Sequence, residues 1–178
     1  MRGLGKSTGV VVIALLVGYL VGASVTRREA ARAAGVFDAA KIVHVGVIVK
    51  DVDKASANLA KILGIPAPKP ALAQGPVPFA KDLKADPNAV PKFIQIPFGN
   101  TVIELLEPRG GVSPWRNHLE KHNGGLHHIA FGVPDLDAAV GVLTKNGAKV
   151  EFMRPGMRGY VNADDQVGFT FEVFQNAK

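Results

Sequence analysis

Cysteine is absent from this 178-residue chain, which excludes disulfides, thiolate metal ligands and a cysteine nucleophile, although it leaves the redox compartment open. A basic surface is nearly absent too, once the N-terminus is set aside. The formal net charge is +6, but residues 1–34 hold Arg2, Lys6, Arg27, Arg28 and Arg32 against the single acid Glu29. What remains is close to neutral and has no basic stripe of the kind that binds nucleic acid. A hydrophobic fraction of 47% excludes a disordered polymer and suffices for one domain with its own core.

Between Lys6 and Arg27 lies an uncharged apolar run, Gly9 to Val25, 17 residues long. That is the lower limit for a membrane-spanning helix and slightly long for a signal-peptide core. Residues 1–34 are therefore expected to act as a signal peptide or an N-terminal membrane anchor that takes the protein out of the cytosol. Arg27 and Arg28, directly after the run, favour the uncleaved anchor, for which the membrane is a partner. Gly18 and Gly22 stand four apart and permit a close-packed helix pair, hence a homodimer, although glycine is common in such helices without pairing.

The rest of the chain is internally repeated. Residues 44–64, HVGVIVKDVDKASANLAKILG, return as residues 128–147, HIAFGVPDLDAAVGVLTKNG. His44, Val49, Asp51, Asp53, Ala55, Leu59 and Lys61 thus recur 84 positions later as His128, Val133, Asp135, Asp137, Ala139, Leu143 and Lys145. A second matching pair, NTVIELL at 100–106 and GFTFEVF at 168–174, places Glu104 and Glu172 at equivalent points.

Lys41 to Val49 alternates as a strand, with Ile42, His44, Gly46 and Ile48 on one face and four valines on the other, a face expected to be buried under helices. Asp51 or Asp53 can cap the next helix, because a short carboxylate satisfies free N–H groups at the positive end of the helix dipole. That helix is expected to run to about Leu63 with Ala55, Leu59 and Ile62 buried, and Gly64 ends it. Residues 66–91 contain seven prolines in 26 residues and read as an extended loop with room for one edge strand, a lid or binding element. Lys92–Phe98 and Thr101–Leu106 then pair as a hairpin about Gly99 and Asn100, and Ser113-Pro114 opens a linker helix over 113–122. The second half repeats the plan: a strand over 126–133, a helix from about Leu136 to Lys145, a strand over 148–153 and a hairpin from about Tyr160 to Phe174.

The predicted fold class is α+β, with residues 35–178 forming paired βαβββ modules, about 41–108 and 126–175, around an open eight-stranded barrel-like cleft. Alternation puts His44, His128, Glu104 and Glu172 on the cleft faces of their strands, with small residues beside each histidine leaving room for a ligand. A glutamate between apolar neighbours on a strand is costly unless it is paired or bound to a cation, and here the arrangement occurs twice. Two half-sites, each giving one imidazole and one carboxylate, are what a single divalent ion needs. His127 has the opposite parity and is expected to point away; His118 and His122 are expected in solvent.

The stretch NTVIELLEPRGGVSPWRNHLEKHNGGLHHIAFGV, with its ELLEP segment, SP-led helix and GLHHIAF strand, resembles the vicinal oxygen chelate (glyoxalase/bleomycin resistance/dioxygenase) superfamily and within it is most similar to the methylmalonyl-CoA epimerases. The resemblance covers about residues 41–175. It implies that His44, Glu104, His128 and Glu172 hold one divalent metal ion, Zn, Mn, Co or Ni, and that Glu172 or Glu104 acts as the base. The implied activity is that of a metal-dependent isomerase or lyase working on a small-molecule carbonyl substrate through a stabilised enolate, epimerase-like or glyoxalase-like. The chain departs from the epimerase pattern where Lys92 replaces an expected acid and where GMRGYVNADDQVGF, 156–169, replaces a segment with a His-Pro-Lys run. These departures weaken the CoA-specific and two-base parts of the analogy and leave one-base chemistry centred on Glu172. Lys81, Lys84 and Arg158 are candidate anion contacts. The competing readings are a non-catalytic small-molecule binding protein and an extradiol-type dioxygenase, the latter disfavoured by a second carboxylate beside the two histidines.

Overall fold

An antiparallel seam joins the two halves of the molecule. The computed structural model describes residues 35–37, 40–72, 77–78, 85–86 and 88–176. The leader 1–34, with its predicted export function, and the loop lysines Lys81 and Lys84 lie outside the described residues. The elements run β1 (Lys41–Ile48), α1 (Val52–Leu63), β2 (Ala71–Leu72), β3 (Val77–Pro78), β4 (Ala85–Asp86), β5 (Lys92–Phe98), β6 (Thr101–Glu107) and the linker helix α2 (Pro114–His122). The second half continues with β7 (Gly125–Val133), α3 (Leu136–Lys145), β8 (Lys149–Arg154), β9 (Arg158–Asn162), α4 (Asp164–Val167) and β10 (Thr170–Gln175).

One open eight-stranded sheet carries the order β2-β5-β6-β1-β7-β10-β9-β8, and β3 and β4 form a separate two-stranded ribbon. Each half is built alike, β1 lying parallel to β6 and β7 parallel to β10, while β1 and β7 pair antiparallel at the centre. The short strand predicted inside the proline-rich segment is β2, on the edge beside β5. No helix among the described residues is long and apolar enough to cross a membrane.

Helix signals act as the sequence implies. Asp51 and Asp135 accept from the backbone N–H of Lys54 and Ala138, Ser113 does the same for Arg116, and Gly64 ends α1 in the left-handed region at φ 68°. The buried stripe of α1 matches the expected one in part: Ala55 and Leu59 pack half-buried against its core, and Ile62 does not. Val52, Ser56 and Ala60, at i, i+4 and i+8, are buried, whereas Ile62 is 79% exposed. The ridge that meets Ile94, Ile96 and Leu105 is set by Val52, and Ile62 falls about 200° round from Ala60. The valine face of β1 is likewise only half covered, with Val43 exposed and Val47 and Val49 packed against the α1 core. The expected hairpin from about Tyr160 to Phe174 forms as the antiparallel pair β9–β10, with α4 inserted where the strands turn.

Three apolar clusters result. One lies under α1, one under α3 around Val133, Leu136, Val161 and Val173, and one fills an end of the cleft with Ile48, Leu106, Trp115, Phe152 and Tyr160. Trp115, delivered by α2, packs edge-on against Tyr160 at 5.8 Å, so the linker between the modules also closes one end of the cleft.

Candidate metal centre

Two rows of residues cross the central strands. In the first, Glu104 on β6 faces Gly46 on β1, which faces His128 on β7. In the second, His44 on β1 faces Ala130 on β7, which faces Glu172 on β10. Each row holds a glutamate and a histidine two strands apart, roughly 10 Å, with a small residue between them over which the side chains can lean together. Gly46 and Ala130 are themselves equivalent under the 84-residue repeat.

The space at Gly46 belongs to the site and not to a ligand. A Cβ there would lie 2.0–2.4 Å from the His128 ring atoms. Gly132 similarly accommodates Asn176, whose Oδ1 would be 2.5 Å from an added Cβ. The sequence expectation that these small residues leave ligand room is therefore corrected: neighbouring side chains fill it.

Pairing slips once before each histidine. Ile42 faces Phe131 while His44 faces Ala130, which leaves Val43 extra on β1; Gly46 faces His128 while Val47 faces Leu126, which leaves His127 extra on β7. Val43 and His127 are repeat equivalents, so each half carries one bulge directly preceding its histidine. A bulge bends its strand and re-aims the next side chain. It also overturns the parity argument for His127, which is buried at 2% exposure with its Nδ1 2.8 Å from His128 Nδ1.

The four side chains that the repeat singles out converge. His44 Nε2 lies 3.0 Å from His128 Nε2, 2.8 Å from Glu172 Oε2 and 3.6 Å from Glu104 Oε2. His128 Nε2 is 3.3 Å from Glu172 Oε2 and 3.5 Å from Glu104 Oε2. All four residues are buried. His44, His128 and Glu172 make the tightest group, their donor atoms within 4.8 Å of one another, and Glu104 faces both imidazoles from outside it.

This donor set fits a divalent ion. At about 2.1 Å from a metal to each donor, donors sit about 3.0 Å apart at right angles and about 3.4 Å apart at the tetrahedral angle, which matches the spacings here. Glu172 Oε2 is fully buried and faces the two imidazoles, His44 Nε2 at 2.8 Å and His128 Nε2 at 3.3 Å. A buried carboxylate costs several kcal/mol in general unless a cation, a protonated imidazole or a metal ion, satisfies it. The field of the site agrees: burial alone would lower the His44 pKa, but Glu172 and Glu104 outweigh it and raise it above 6.5. For Glu104, burial would raise the pKa, yet His128, His44 and Gln95 together hold it below its ordinary value.

Other side chains fix the set. Gln95 faces Glu104 across the β5–β6 ladder and donates to Glu104 Oε1 at 3.0 Å. Arg158 reaches Glu172 Oε1 at 3.3 Å, its guanidinium lying over Phe152 and Phe174, and it keeps 31% of its side chain exposed. Arg158 is thus the predicted anion contact that the structure brings to the centre. Tyr160, opposite Glu172, has its ring 5.2 Å from that of His128. Reading the hairpin register across from Glu104 would have found Gln95; Tyr160 carried no signal beyond its proximity in sequence to Glu172. Lys92 is paired with Asp53, on the α1 side of the sheet, so its position supplies neither acid nor amine to the cleft. His118 is half-buried instead of solvated, while His122 is exposed and bonded to Asp164.

The family model for the glyoxalase/bleomycin resistance protein/dioxygenase superfamily matches residues 43–169. The chain belongs to that superfamily. It is 37% identical over 108 residues to the ethylmalonyl-CoA/methylmalonyl-CoA epimerase of Cereibacter sphaeroides, spanning 60% of this chain and 71% of that protein. It is 34% identical over 111 residues to the human mitochondrial methylmalonyl-CoA epimerase, spanning 62% of this chain but only 56% of that one. Among solved structures, a Streptomyces coelicolor methylmalonyl-CoA epimerase variant in complex with 2-nitronate-propionyl-CoA superposes with a TM-score of 0.53 at 22% identity, over 78% of this chain and 98% of the other. A hypothetical protein from Bacillus halodurans C-125 gives 0.54 at 20% identity, covering 79% and 96%. These superpositions establish the superfamily's fold for this chain.

Proposed function

We propose that this protein is a metal-dependent isomerase of the epimerase type, which moves a proton at the carbon beside a substrate carbonyl, with His44, Glu104, His128 and Glu172 as the metal ligands. The observation that carries this reading is the convergence of two buried imidazoles and two buried carboxylates on one point between the modules. A divalent ion bound there supplies a Lewis acid that lowers the energy of an enolate by several kcal/mol in such catalysis.

The chain's own groups divide the remaining work. Glu104 is held by Gln95 through Oε1 and directs Oε2 at both histidines, the posture of a fixed ligand. Glu172 is held by Arg158 through Oε1 and directs Oε2 at His44 and His128, at 2.8 and 3.3 Å. The base that takes the C–H proton is assigned to Glu172 because its carboxylate lies beside the partly exposed Arg158 guanidinium, where a substrate anion can dock. With Lys92 tied to Asp53, no further acid enters from that position, so one carboxylate takes the proton from one face of the carbon and, for inversion, returns it to the other face once the planar enolate has turned over. The Arg158 guanidinium, partly exposed beside Glu172, is placed to receive a carboxylate or other anion on the substrate.

The test is proton exchange in heavy water. Metal-loaded protein is incubated with methylmalonyl-type thioesters and with 2-oxo and 2-hydroxy carbonyl compounds, and deuterium is measured at the carbon beside the carbonyl. Exchange that needs metal and is lost in Glu172→Gln protein retaining metal supports the assignment. Tight binding of such a compound with no exchange overturns it in favour of a sequestering protein. For the leader we propose export, from its basic flank and apolar run; recovery of the native full-length protein free in the cytosol would contradict that.

A further inference from the structure

One end of the first module gathers apolar side chains that nothing in the fold covers. Val45 pairs with Ile103 and Phe98 with Thr101, so the β5–β6 turn stands level with Ile42 and Val43 at the start of β1. Helix α1 begins at the opposite end of that hairpin, where the Val52 N–H donates to Glu107 Oε2 at 3.0 Å, and it packs back along Leu105, Ile94 and Ile96. Its last turn, and Ile65 after Gly64, therefore reach the same end as the β5–β6 turn. Ile42, Val43, Ile62, Ile65 and Phe98 are all exposed there, Ile62 at 79% and Phe98 at 50%. The segments that carry them, 41–43, 60–65 and 97–101, contain Lys41 and Lys61 and no acid. Single exposed apolar residues need no explanation, whereas a cluster of them marks a contact surface.

The leader joins the domain at this same end. Phe37 packs edge-on against Phe131 at 6.2 Å, and Phe131 is the partner of Ile42 in the β1–β7 ladder. With the chain pinned there, only residues 26–34 separate the apolar run ending at Val25 from the folded domain at Gly35, a span of at most about 35 Å when fully extended. We propose that this end of the first module docks on a lipid bilayer, the one the leader enters. Ile42, Val43, Ile62, Ile65 and Phe98 sink into the boundary between headgroups and acyl chains, and Lys41 and Lys61 pair with anionic lipid. The proposal rests on the reading of residues 1–34 as an anchor, which brings the bilayer to the domain. A tether this short keeps the patch at high effective concentration beside the membrane, so modest contacts suffice to hold the domain in one orientation.

The absence of cysteine makes the test clean, because one introduced thiol takes one fluorophore. Full-length Phe98→Cys and Ile62→Cys proteins are labelled and reconstituted in vesicles of equal parts phosphatidylcholine and phosphatidylglycerol, with and without brominated acyl chains. Val167→Cys, in α4 at the opposite end of the sheet and 53% exposed, is the control. All three positions are exposed, so the fold is preserved. The brominated lipid should quench the probes at 98 and 62 by more than half and leave the one at 167 unchanged. Adding Lys41→Glu/Lys61→Glu, or using phosphatidylcholine alone, should reduce that quenching several-fold. No quenching at 98 and 62, equal quenching at 167, or a probe at 98 that brominated lipid does not reach and that cross-links to a second chain each overturns the proposal, the last assigning the face to a dimer. Extraction with alkaline carbonate separates this from the anchor reading. Wild-type protein that resists extraction while the probes stay unquenched upholds the anchor and overturns docking; protein that is extracted although its probes were quenched upholds docking and overturns the anchor.

Discussion

His127 Nδ1 lies 2.8 Å from His128 Nδ1, with both rings buried. Two imidazole nitrogens at that distance share one proton, so one is donor and the other acceptor. With His128 Nε2 turned to the proposed metal, its Nδ1 carries the hydrogen and His127 Nδ1 must accept it. That is the outer-shell contact that fixes the tautomer of a ligating histidine, and losing such a contact typically costs about 10–100-fold in metal affinity. His127→Phe should show a loss of that size in a zinc titration. His127→Asn, which keeps an acceptor near the same place, should show much less; equal losses in the two variants would assign His127 to packing alone.

Gly46 offers a test of the centre that leaves every ligand chemically intact. An added Cβ would meet the His128 ring at 2.0–2.4 Å, and that ring is enclosed by His44, Tyr160 and Gly46 itself. Overpacking of this kind typically costs about 1–3 kcal/mol. Gly46→Ala should therefore lower the apo-protein denaturation midpoint and, by displacing His128, abolish tight metal binding. Wild-type affinity in a destabilised Gly46→Ala protein would show that His128 is not a ligand.

The repeat made the main features legible. Because His44, Glu104, His128 and Glu172 occur at internally equivalent positions, sequence alone brought them to one cleft. What escaped was whatever depends on breaking the period of two. Alternation sent His127 to the far face, yet a bulge places it against His128, and bulges follow from ladder hydrogen bonding that a single strand's pattern does not reveal. Ile62 was assigned to the core of α1 by hydrophobicity, but the ridge set by Val52, Ser56 and Ala60 leaves it in solvent. Trp115 read only as part of a linker, and its burial against Tyr160 depends on the tertiary placement of α2.

Metal removal should have a global effect, because β1 and β6 of one half and β7 and β10 of the other meet at the proposed ion. Free ion at about 100 times its dissociation constant adds about 2.7 kcal/mol to stability. Chelated protein should melt lower, and its Tm should climb with added zinc. In His44→Ala protein that dependence should vanish. A zinc response identical in His44→Ala and wild type would remove His44 from the ligand set.

Glu151 provides a pH-dependent test away from the metal centre. Burial raises its carboxyl pKa above the ordinary 4.5, with Asp164 adding to the shift and Asn162 and Lys121 opposing it. A raised folded pKa means that the native state holds more protons than the unfolded chain in the window above 4.5. The contribution of Glu151 to stability is thus fully present below that value and is lost as pH rises through the folded pKa. Glu151→Gln keeps an acceptor for Asn162 Nδ2, which now donates to Glu151 Oε1 at 3.0 Å, and removes the ionisation. In chelator-treated protein the variant should be more stable than wild type near neutral pH, with the difference shrinking to nothing below about pH 4.5, the unperturbed carboxyl range. Thermal melts of both proteins across pH 4 to 8 measure it, and a difference that is constant or grows toward acid would contradict the assigned direction of the shift.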